Sequence, residues 1–264
     1  MARLFECSFD TGDFSPWTAQ ENVQGINTIE TQLLHTPLYA GRFYTNPTTL
    51  AAYSRVVKDI TPDVDVYARA YVNIQRGLPL LAPGDRFYLI RFEDAAHAYL
   101  ATVGIRRTTN NEDKWLLIGK NGTPFAPAVY GTVVPATPTW VCVELHVRIA
   151  TAGVVEVYVD GVKIIEVLGD TTSFVGIASV AFGITTKSAT ASTFDVDVIV
   201  DDCVIAQEYI GTSVTPPPPS HILSINSNVS VAAKVDNTPV GNTPVSVSVY
   251  EGQVTVEVPL EVTV

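Results

Sequence analysis

The stretch that decides the fold is VDVYARAYVNI, residues 64–74, in which apolar and polar side chains alternate without a break. Such a period of two is typical of a β-strand that buries one face and leaves the other free. The apolar set is Val64, Val66, Ala68, Ala70, Val72 and Ile74. The opposite set is Asp65, Tyr67, Arg69, Tyr71 and Asn73. The sequence therefore predicts a strand with a polar and aromatic outward face.

The same division recurs in WVCVELHVRI, residues 140–149, where Glu144, His146 and Arg148 face away from a row of valines and leucine. Immediately downstream, VVEVYVDGVKIIEV, residues 154–167, predicts a hairpin, because the Asp160-Gly161 pair suits the positive φ angles of a tight turn. The two neighbouring patterns predict that several strands of one sheet come from this part of the chain.

Valine, threonine, glycine and proline dominate the remaining sequence, which favours strands and turns over helices. Further predicted strands cover residues 86–92, 99–106, 115–119, 178–184 and 194–200. About a dozen strands exceed what a seven-stranded immunoglobulin sandwich needs. We therefore predict an all-β fold, an antiparallel jelly-roll β-sandwich followed by a small C-terminal β-sandwich-like domain.

A run of four prolines, Pro216 to Pro219, marks the one clear break in composition. Successive prolines cannot join a β-ladder and favour an extended spacer. The predicted organisation is a body over residues 1–212, a linker over 213–220 and a small domain over 221–264. The alternating tail 243–264 predicts a hairpin around Glu251-Gly252, and its strand edge predicts docking or homo-oligomer assembly unless the small domain pairs its own edges.

Composition restricts the function classes. The net charge is -11, from 16 Lys and Arg against 27 Asp and Glu, which argues against nucleic acid as a partner. No apolar run approaches the ~20 residues needed to cross a bilayer, so membrane insertion is not expected. Three cysteines without a C-x-x-C spacing support neither a thiolate metal site nor a disulfide scaffold.

Three segments carry a resemblance to a known group: CSFDTGDFSPW at 7–17, residues 140–161, and FDVDVIVDDCV at 194–204. They resemble concanavalin A-like and laminin G-like jelly rolls, a group that includes lectins and carbohydrate-binding modules. The tail segment AKVDNTPVGNTP, residues 233–244, resembles a PEGA-type β domain. The first resemblance speaks for fold more than for function.

In such jelly rolls the first and last strands lie side by side. The resemblance therefore implies that Asp10, Asp13, Asp201 and Asp202 gather and hold a structural Ca²⁺, a cation that prefers carboxylate and carbonyl oxygens. The alternative is a simple turn at 10–13 and an aspartate pair bonded to backbone and water. The same adjacency would place Cys7 near Cys203, and whether the two are bonded stays open.

The outward faces of the first two strands offer aromatic rings for stacking on sugars and polar groups for bonding hydroxyls. The predicted ligand-binding residues for a glycan or cell-surface polymer are Tyr67, Arg69, Tyr71, Asn73, Glu144, His146 and Arg148. An ordinary solvated face, or one covered by a loop or a subunit, is the alternative.

Retaining glycosidases need two carboxylates about 5 Å apart, usually from alternate acidic residues of one strand. Asp195 and Asp197 do alternate on one face, but they lie next to the calcium candidates and lack a third carboxylate of the hydrolase type. The sequence therefore predicts a protein that is not an enzyme. As a carbohydrate- or surface-binding protein, it is expected outside the cell or on a virion. One alternative is a structural or assembly protein of a virion, tail fibre or cell surface. Another is a polysaccharide lyase or hydrolase, for which Tyr67, Arg69, Tyr71, His146 and Arg148 supply bases and cations.

Overall fold

The computed structural model describes residues 3–120, 128–134, 139–189 and 192–212, together with five short strands beyond residue 220. All regular elements in these ranges are β-strands, as predicted. The chain divides into two compact units, Met1–Ser213 and Val214–Val264. The predicted proline spacer lies outside the described residues.

The described residues of the first unit form fifteen strands. Their bounds are β1 Arg3–Cys7, β2 Ala19–Val23, β3 Gly25–Glu30, β4 Ala40–Thr48, β5 Ala52–Asp63, β6 Asp65–Arg76, β7 Arg86–Glu93, β8 Tyr99–Arg107, β9 Asp113–Gly119, β10 Val129–Val133, β11 Trp140–Arg148, β12 Gly153–Val159, β13 Val162–Gly169, β14 Ile177–Ser188 and β15 Phe194–Ala206.

These strands form two antiparallel sheets that pack face to face as a sandwich. The eight-stranded sheet runs in the order β13-β12-β11-β6-β15-β4-β3, and β1 also pairs with β15. The seven-stranded sheet runs β10-β9-β8-β7-β14-β5-β2. Alternation places most apolar side chains of the strands between the sheets, and Val66, Ala68 and Ala70 of β6 are completely buried there. Val64, predicted to face the same way, precedes β6 and is 55% exposed.

The predicted hairpin is confirmed. Strands β12 and β13 pair from Val159 and Val162 outward, and the two residues between them, Asp160 and Gly161, both have positive φ. A two-residue turn of this kind matches the twist of the strands that it joins. The pairing shifts by one residue between Tyr158 and Val157, and beyond that shift Glu156 and Glu166 lie opposite each other.

The first and last strands of the body are adjacent, as the resemblance implied. Strand β15 pairs with β4 over Val196–Val200 and with β1 from Cys203 onward, where Cys7 lies opposite Cys203. The change of partner occurs at Asp201 and Asp202, where the pairing with β6 also shifts register and Asp202 adopts a positive φ. An aspartate tolerates that backbone conformation better than most residues.

The second unit contains β16 His221–Ile225, β17 Ala232–Val235, β18 Thr238–Asn242, β19 Val245–Val249 and β20 Val256–Glu257. Strand β19 pairs with β16, and β17 pairs with both β18 and β20. Within the described residues β19 and β20 are thus not partners of one hairpin, in contrast to the prediction for 243–264. The predicted Glu251-Gly252 turn lies outside the described residues. The described part of the chain contains no helix able to span a membrane.

Candidate functional site

The structure brings the seven predicted ligand-binding residues together on the outer face of the eight-stranded sheet. Strands β6 and β11 are neighbours, and their register places Tyr67 opposite His146, Arg69 opposite Glu144, and Asn73 opposite Trp140. Glu144, His146 and Arg148 therefore lie in register with the polar face of β6. The sequence predicted the polar faces of the two strands separately, and the pairing of β6 with β11 joins them into one surface.

That surface is covered by the chain itself. The segment 207–212, which follows β15, crosses it, and the backbone N–H groups of Ile210 and Gly211 donate to the two Glu144 oxygens at 2.9 and 3.0 Å. Arg69 donates to the Gly211 carbonyl at 3.0 Å, and Tyr71 donates its hydroxyl to the Thr212 carbonyl. Arg69 and Glu144 are each only 1% exposed. The expectation of an open surface here is corrected.

The other predicted residues on this face also have internal partners. The ring of His146 lies between two carboxylates, 2.7 Å from Glu156 and 2.8 Å from Asp65, and stacks on Tyr67 with ring centroids 3.7 Å apart. Asn73 is buried and accepts a hydrogen bond from Gln75. Arg148 is exposed and donates to the Ala152 carbonyl. Glycan binding by these residues stays a prediction, and their burial leaves little surface for it.

The four aspartates predicted to hold calcium have other partners. Asp201 accepts hydrogen bonds from the backbone N–H groups of His35 and Thr36, and Asp202 contacts the His35 ring at 2.6 Å. Asp10 accepts from Ser8 and Asp13 accepts from the Ser15 N–H within the opening turn. Among the residues that the structure describes, no three His, Cys, Asp or Glu side chains form a group that could hold a metal. The calcium ion stays a prediction that melting with and without a chelator tests.

The bulge at Asp201 and Asp202 is instead closed by the loop that contains His35 and Thr36. Burial, and the neighbouring Asp202 carboxylate, raise the pKa of Asp201 to about 7. The nearby thiols of Cys7 and Cys203 are free, and burial raises the pKa of both. Buried thiols with raised pKa are poor nucleophiles, so this region is built for packing.

A different charge arrangement lies on the outer face of the seven-stranded sheet. Arg86 of β7 lies opposite Arg106 of β8, and Arg106 lies opposite Lys114 of β9. Phe87, Ile105 and Trp115 are buried in the core, so the alternation of each strand directs the three cations outward. We call Arg86, Arg106 and Lys114 the cation row.

The cation row is poorly neutralised. Lys114 contacts Glu112 at 3.1 Å, but neither Arg86 nor Arg106 has a carboxylate within ion-pair distance in the described part of the chain. The Arg106 Nε has no hydrogen-bond partner among the described residues. Like charges directly opposite each other on neighbouring strands repel, so the fold carries a local cost here.

Tyr88 lies next to the cation row, two residues after Arg86 on β7 and on the same outer face of the sheet. Opposite it is Gly104, where a Cβ would overlap the backbone of Phe87 and Tyr88, so glycine permits the close approach of β7 and β8. Burial raises the pKa of the Tyr88 phenol, and the charges of Arg86 and Arg106 oppose that rise. The tyrosine is thus a protonated hydroxyl at neutral pH beside two arginines.

Further along the same face, a second cluster pairs each arginine with a carboxylate, and Arg55 also contacts Glu21 at 2.7 Å. The fully buried Glu93 carboxylate contacts Arg55 at 2.9 Å and Arg91 at 2.8 Å. His97 lies 3.3 Å from it, and Ser179 donates to it at 3.3 Å. Each arginine here has an acidic partner, whereas Arg86 and Arg106 do not.

Sequence reasoning did not identify the cation row. The strands at 86–92 and 99–106 were predicted, and the outward positions of Arg86 and Arg106 follow from their alternation with Phe87 and Ile105. The missing information was the register, which places the two arginines directly opposite each other.

No family model matches the sequence, and no curated protein matches it. Several solved structures do match the fold of the chain. The cellulose-induced protein Cip1 is 17% identical with a TM-score of 0.57, and the match covers 79% of this chain and 100% of that one. The endo-β-1,4-glucuronan lyase of the fungus Trichoderma reesei is 14% identical with a TM-score of 0.56, covering 78% and 96%. The alginate lyase Aly36B is 10% identical with a TM-score of 0.51, covering 81% and 95%. The chain shares the fold of these proteins.

This likeness corrects the prediction that the protein is not an enzyme. Two of the three similar structures are polysaccharide lyases, and a carbohydrate esterase from a Shiga toxin-encoding bacteriophage has the same fold at a TM-score of 0.50. The prediction rested on a missing pair of carboxylates, which glycosidases need for hydrolysis. A lyase needs a proton-transferring group and a cation instead, so the missing pair does not exclude catalysis.

Proposed function

We propose that the first unit recognises an acidic polysaccharide through the cation row on the outer face of the seven-stranded sheet. The observation that carries the proposal is the direct opposition of Arg86 and Arg106 without a carboxylate partner among the described residues. Carboxylates of a bound polyuronate would remove the repulsion between them and pair with both guanidinium groups, which bind carboxylates in a bidentate manner.

The geometry of the sheet supports a polymeric ligand. Neighbouring strands lie about 4.8 Å apart, so the three cations of β7, β8 and β9 extend over about 10 Å. A row of this length can contact more than one acidic group of a chain lying across the strands. Glucuronan and alginate, the substrates named for two of the similar structures, are both acidic polysaccharides.

The net charge of -11 makes a general attraction for polyanions improbable on physical grounds, because the protein as a whole repels them. Binding must therefore come from a local site and should weaken as salt screens it. Binding of a polyanion would therefore indicate a specific site at the cation row, because the acidic protein surface does not favour nonspecific adhesion of polyanions.

The test is affinity for alginate and polyglucuronate, measured by calorimetry at two salt concentrations, for the parent protein and for Arg86→Gln and Arg106→Gln. Each variant should weaken binding about tenfold, equivalent to ~1.4 kcal/mol. The matched control is Arg148→Gln, which removes an exposed arginine from the outer face of the other sheet. Equal affinities in all four proteins, or a loss only in Arg148→Gln, would overturn the proposal.

A second candidate function, polysaccharide lyase, is favoured by Tyr88 beside the same two arginines. In β-elimination a base removes the proton next to the uronate carboxyl, the glycosidic C–O bond breaks, a C=C bond forms, and the leaving oxygen takes up a proton. Arginines would stabilise the charge that develops on the carboxyl group, and the proton donor would be Tyr88, which is protonated but only 7% exposed. Ultraviolet absorbance of an unsaturated product from alginate or polyglucuronate, lost in Tyr88→Phe, is the expected result. No product from the parent protein would exclude this candidate and leave the binding proposal standing.

A further inference from the structure

A groove of about 270 Å³ lies on the outer face of the eight-stranded sheet, away from the covered β6–β11 surface. Its floor crosses four strands: Ile26 of β3 lies opposite Tyr44 of β4, Tyr44 opposite Asp197 of β15, and Asp197 opposite Arg76 of β6. Thr28 and Arg42, which lie two residues from Ile26 and Tyr44 on β3 and β4, complete the lining.

The polar groups of the groove are held in fixed positions. Arg42 makes a two-pronged contact with Asp197, at 2.9 Å from Nε and 2.6 Å from Nη2, and a third contact with Glu30 at 3.2 Å. Asp197 raises the pKa of the Arg42 guanidinium, so the guanidinium stays charged. A guanidinium fixed on two sides can form hydrogen bonds to a ligand with little further loss of side-chain freedom.

The cations in and around the groove are paired with carboxylates, and the two arginines face three acidic side chains, so the groove has no excess of positive charge. Arg42 is paired with Asp197 and Glu30, and Arg76 lies 3.5 Å from Asp195. Each cation that lines the groove thus has an acidic neighbour, unlike the arginines of the cation row. The chemistry favours an uncharged ligand with several hydroxyl groups over an anion.

The groove also has an apolar side, formed by Ile26 and Tyr44. Ile26 is 55% exposed, and the half-buried ring of Tyr44 lies beside it. The C–H face of a pyranose packs on such a surface while its hydroxyls bond to the charged and hydroxyl groups opposite. The volume lies just below the ~300–1,000 Å³ found for pockets that hold drug-sized ligands, which suits a ligand as small as one sugar unit.

We infer that this groove is a second carbohydrate-binding site, specific for a neutral pyranose unit, on the face opposite to the cation row. The inference does not depend on the proposed function, because it rests on different residues and a different ligand chemistry. Two sites on opposite faces of the sandwich would let one molecule contact an acidic and a neutral glycan at the same time.

The test is ligand-observed nuclear magnetic resonance with the methyl pyranosides of glucose, galactose, mannose and xylose, and with methyl glucuronate as the charged comparison. At least one neutral glycoside should bind saturably, and Tyr44→Ala and Thr28→Val should each weaken it about fivefold or more. Tyr44→Phe keeps the ring and should retain binding. The control Tyr130→Ala removes an exposed ring from the other sheet and should change nothing.

Every outcome decides. No saturable binding of any neutral glycoside by the parent protein overturns the inference, as does tighter binding of methyl glucuronate. Equal effects of Tyr44→Ala and Tyr130→Ala would overturn it too. Should Tyr44→Ala fail to fold, Thr28→Val gives the answer, since it changes one exposed hydroxyl. Failure here leaves the alginate and polyglucuronate experiment untouched, because that experiment reads the other face.

Discussion

On the outer face of the eight-stranded sheet Arg69 lies opposite Glu144, whereas on the outer face of the seven-stranded sheet Arg86 lies opposite Arg106. The first pair is buried beneath the segment 207–212 and bonded to its backbone. The second pair has no acidic partner in the described residues. Both faces contain arginine and tyrosine on adjacent strands, so residue type alone does not distinguish a surface that holds the chain together from one that can accept a ligand.

The largest expected effect is on the covered face. Replacing Glu144 by alanine removes the acceptor of two buried backbone N–H groups and leaves Arg69 without its acidic neighbour. Loss of one member of such a buried network should lower the free energy of unfolding by about 3–5 kcal/mol. Denaturant unfolding measures it, with the exposed Glu166→Ala as control. A loss below about 1 kcal/mol would mean that segment 207–212 is not held by this contact.

A smaller effect concerns the pH dependence of the same sheet. The pKa of Asp201 is raised to about 7, above its ordinary value, so the folded protein binds a proton more tightly than the unfolded chain does. Stability should therefore fall as pH rises from about 5 to 7, by up to ~1.4 kcal/mol for each unit. Asp201→Asn should flatten this slope, and Asp13→Asn, in an exposed turn, should not. A slope unchanged in Asp201→Asn contradicts the assignment.

The smallest expected effect has the opposite sign and sharpens the contrast. Arg86→Gln removes a repulsion and should raise the free energy of unfolding by about 0.5 kcal/mol at low salt, since cross-strand pairs contribute ~0.2–1 kcal/mol. The gain should shrink as salt increases. Arg69→Gln is the comparison and should destabilise. If both variants destabilise equally, the two faces do not differ as described.

Much of the fold could be predicted from the sequence, because alternation and turn chemistry are local. The strand around Tyr67, the Asp160-Gly161 hairpin and the all-β class follow from neighbouring residues alone. The pairing of Cys7 with Cys203 followed from a resemblance, since no local pattern connects positions so far apart.

The candidate site could be predicted only in part. The sequence grouped Tyr67, Arg69 and Glu144 on one polar face, but nothing in residues 207–212 shows that their backbone N–H and carbonyl groups would cover it. Backbone groups carry no sequence signal. The cation row was missed for a related reason: the opposition of Arg86 and Arg106 depends on strand register, which short patterns do not determine.

Arginine modification by phenylglyoxal, mapped by mass spectrometry with and without alginate, tests the central contrast between the two faces most directly. We expect Arg69 to be unreactive in both conditions, Arg148 to react in both, and Arg86 and Arg106 to react only in the absence of alginate. Protection of Arg148 by alginate, or unchanged reactivity of Arg86 and Arg106, would contradict it.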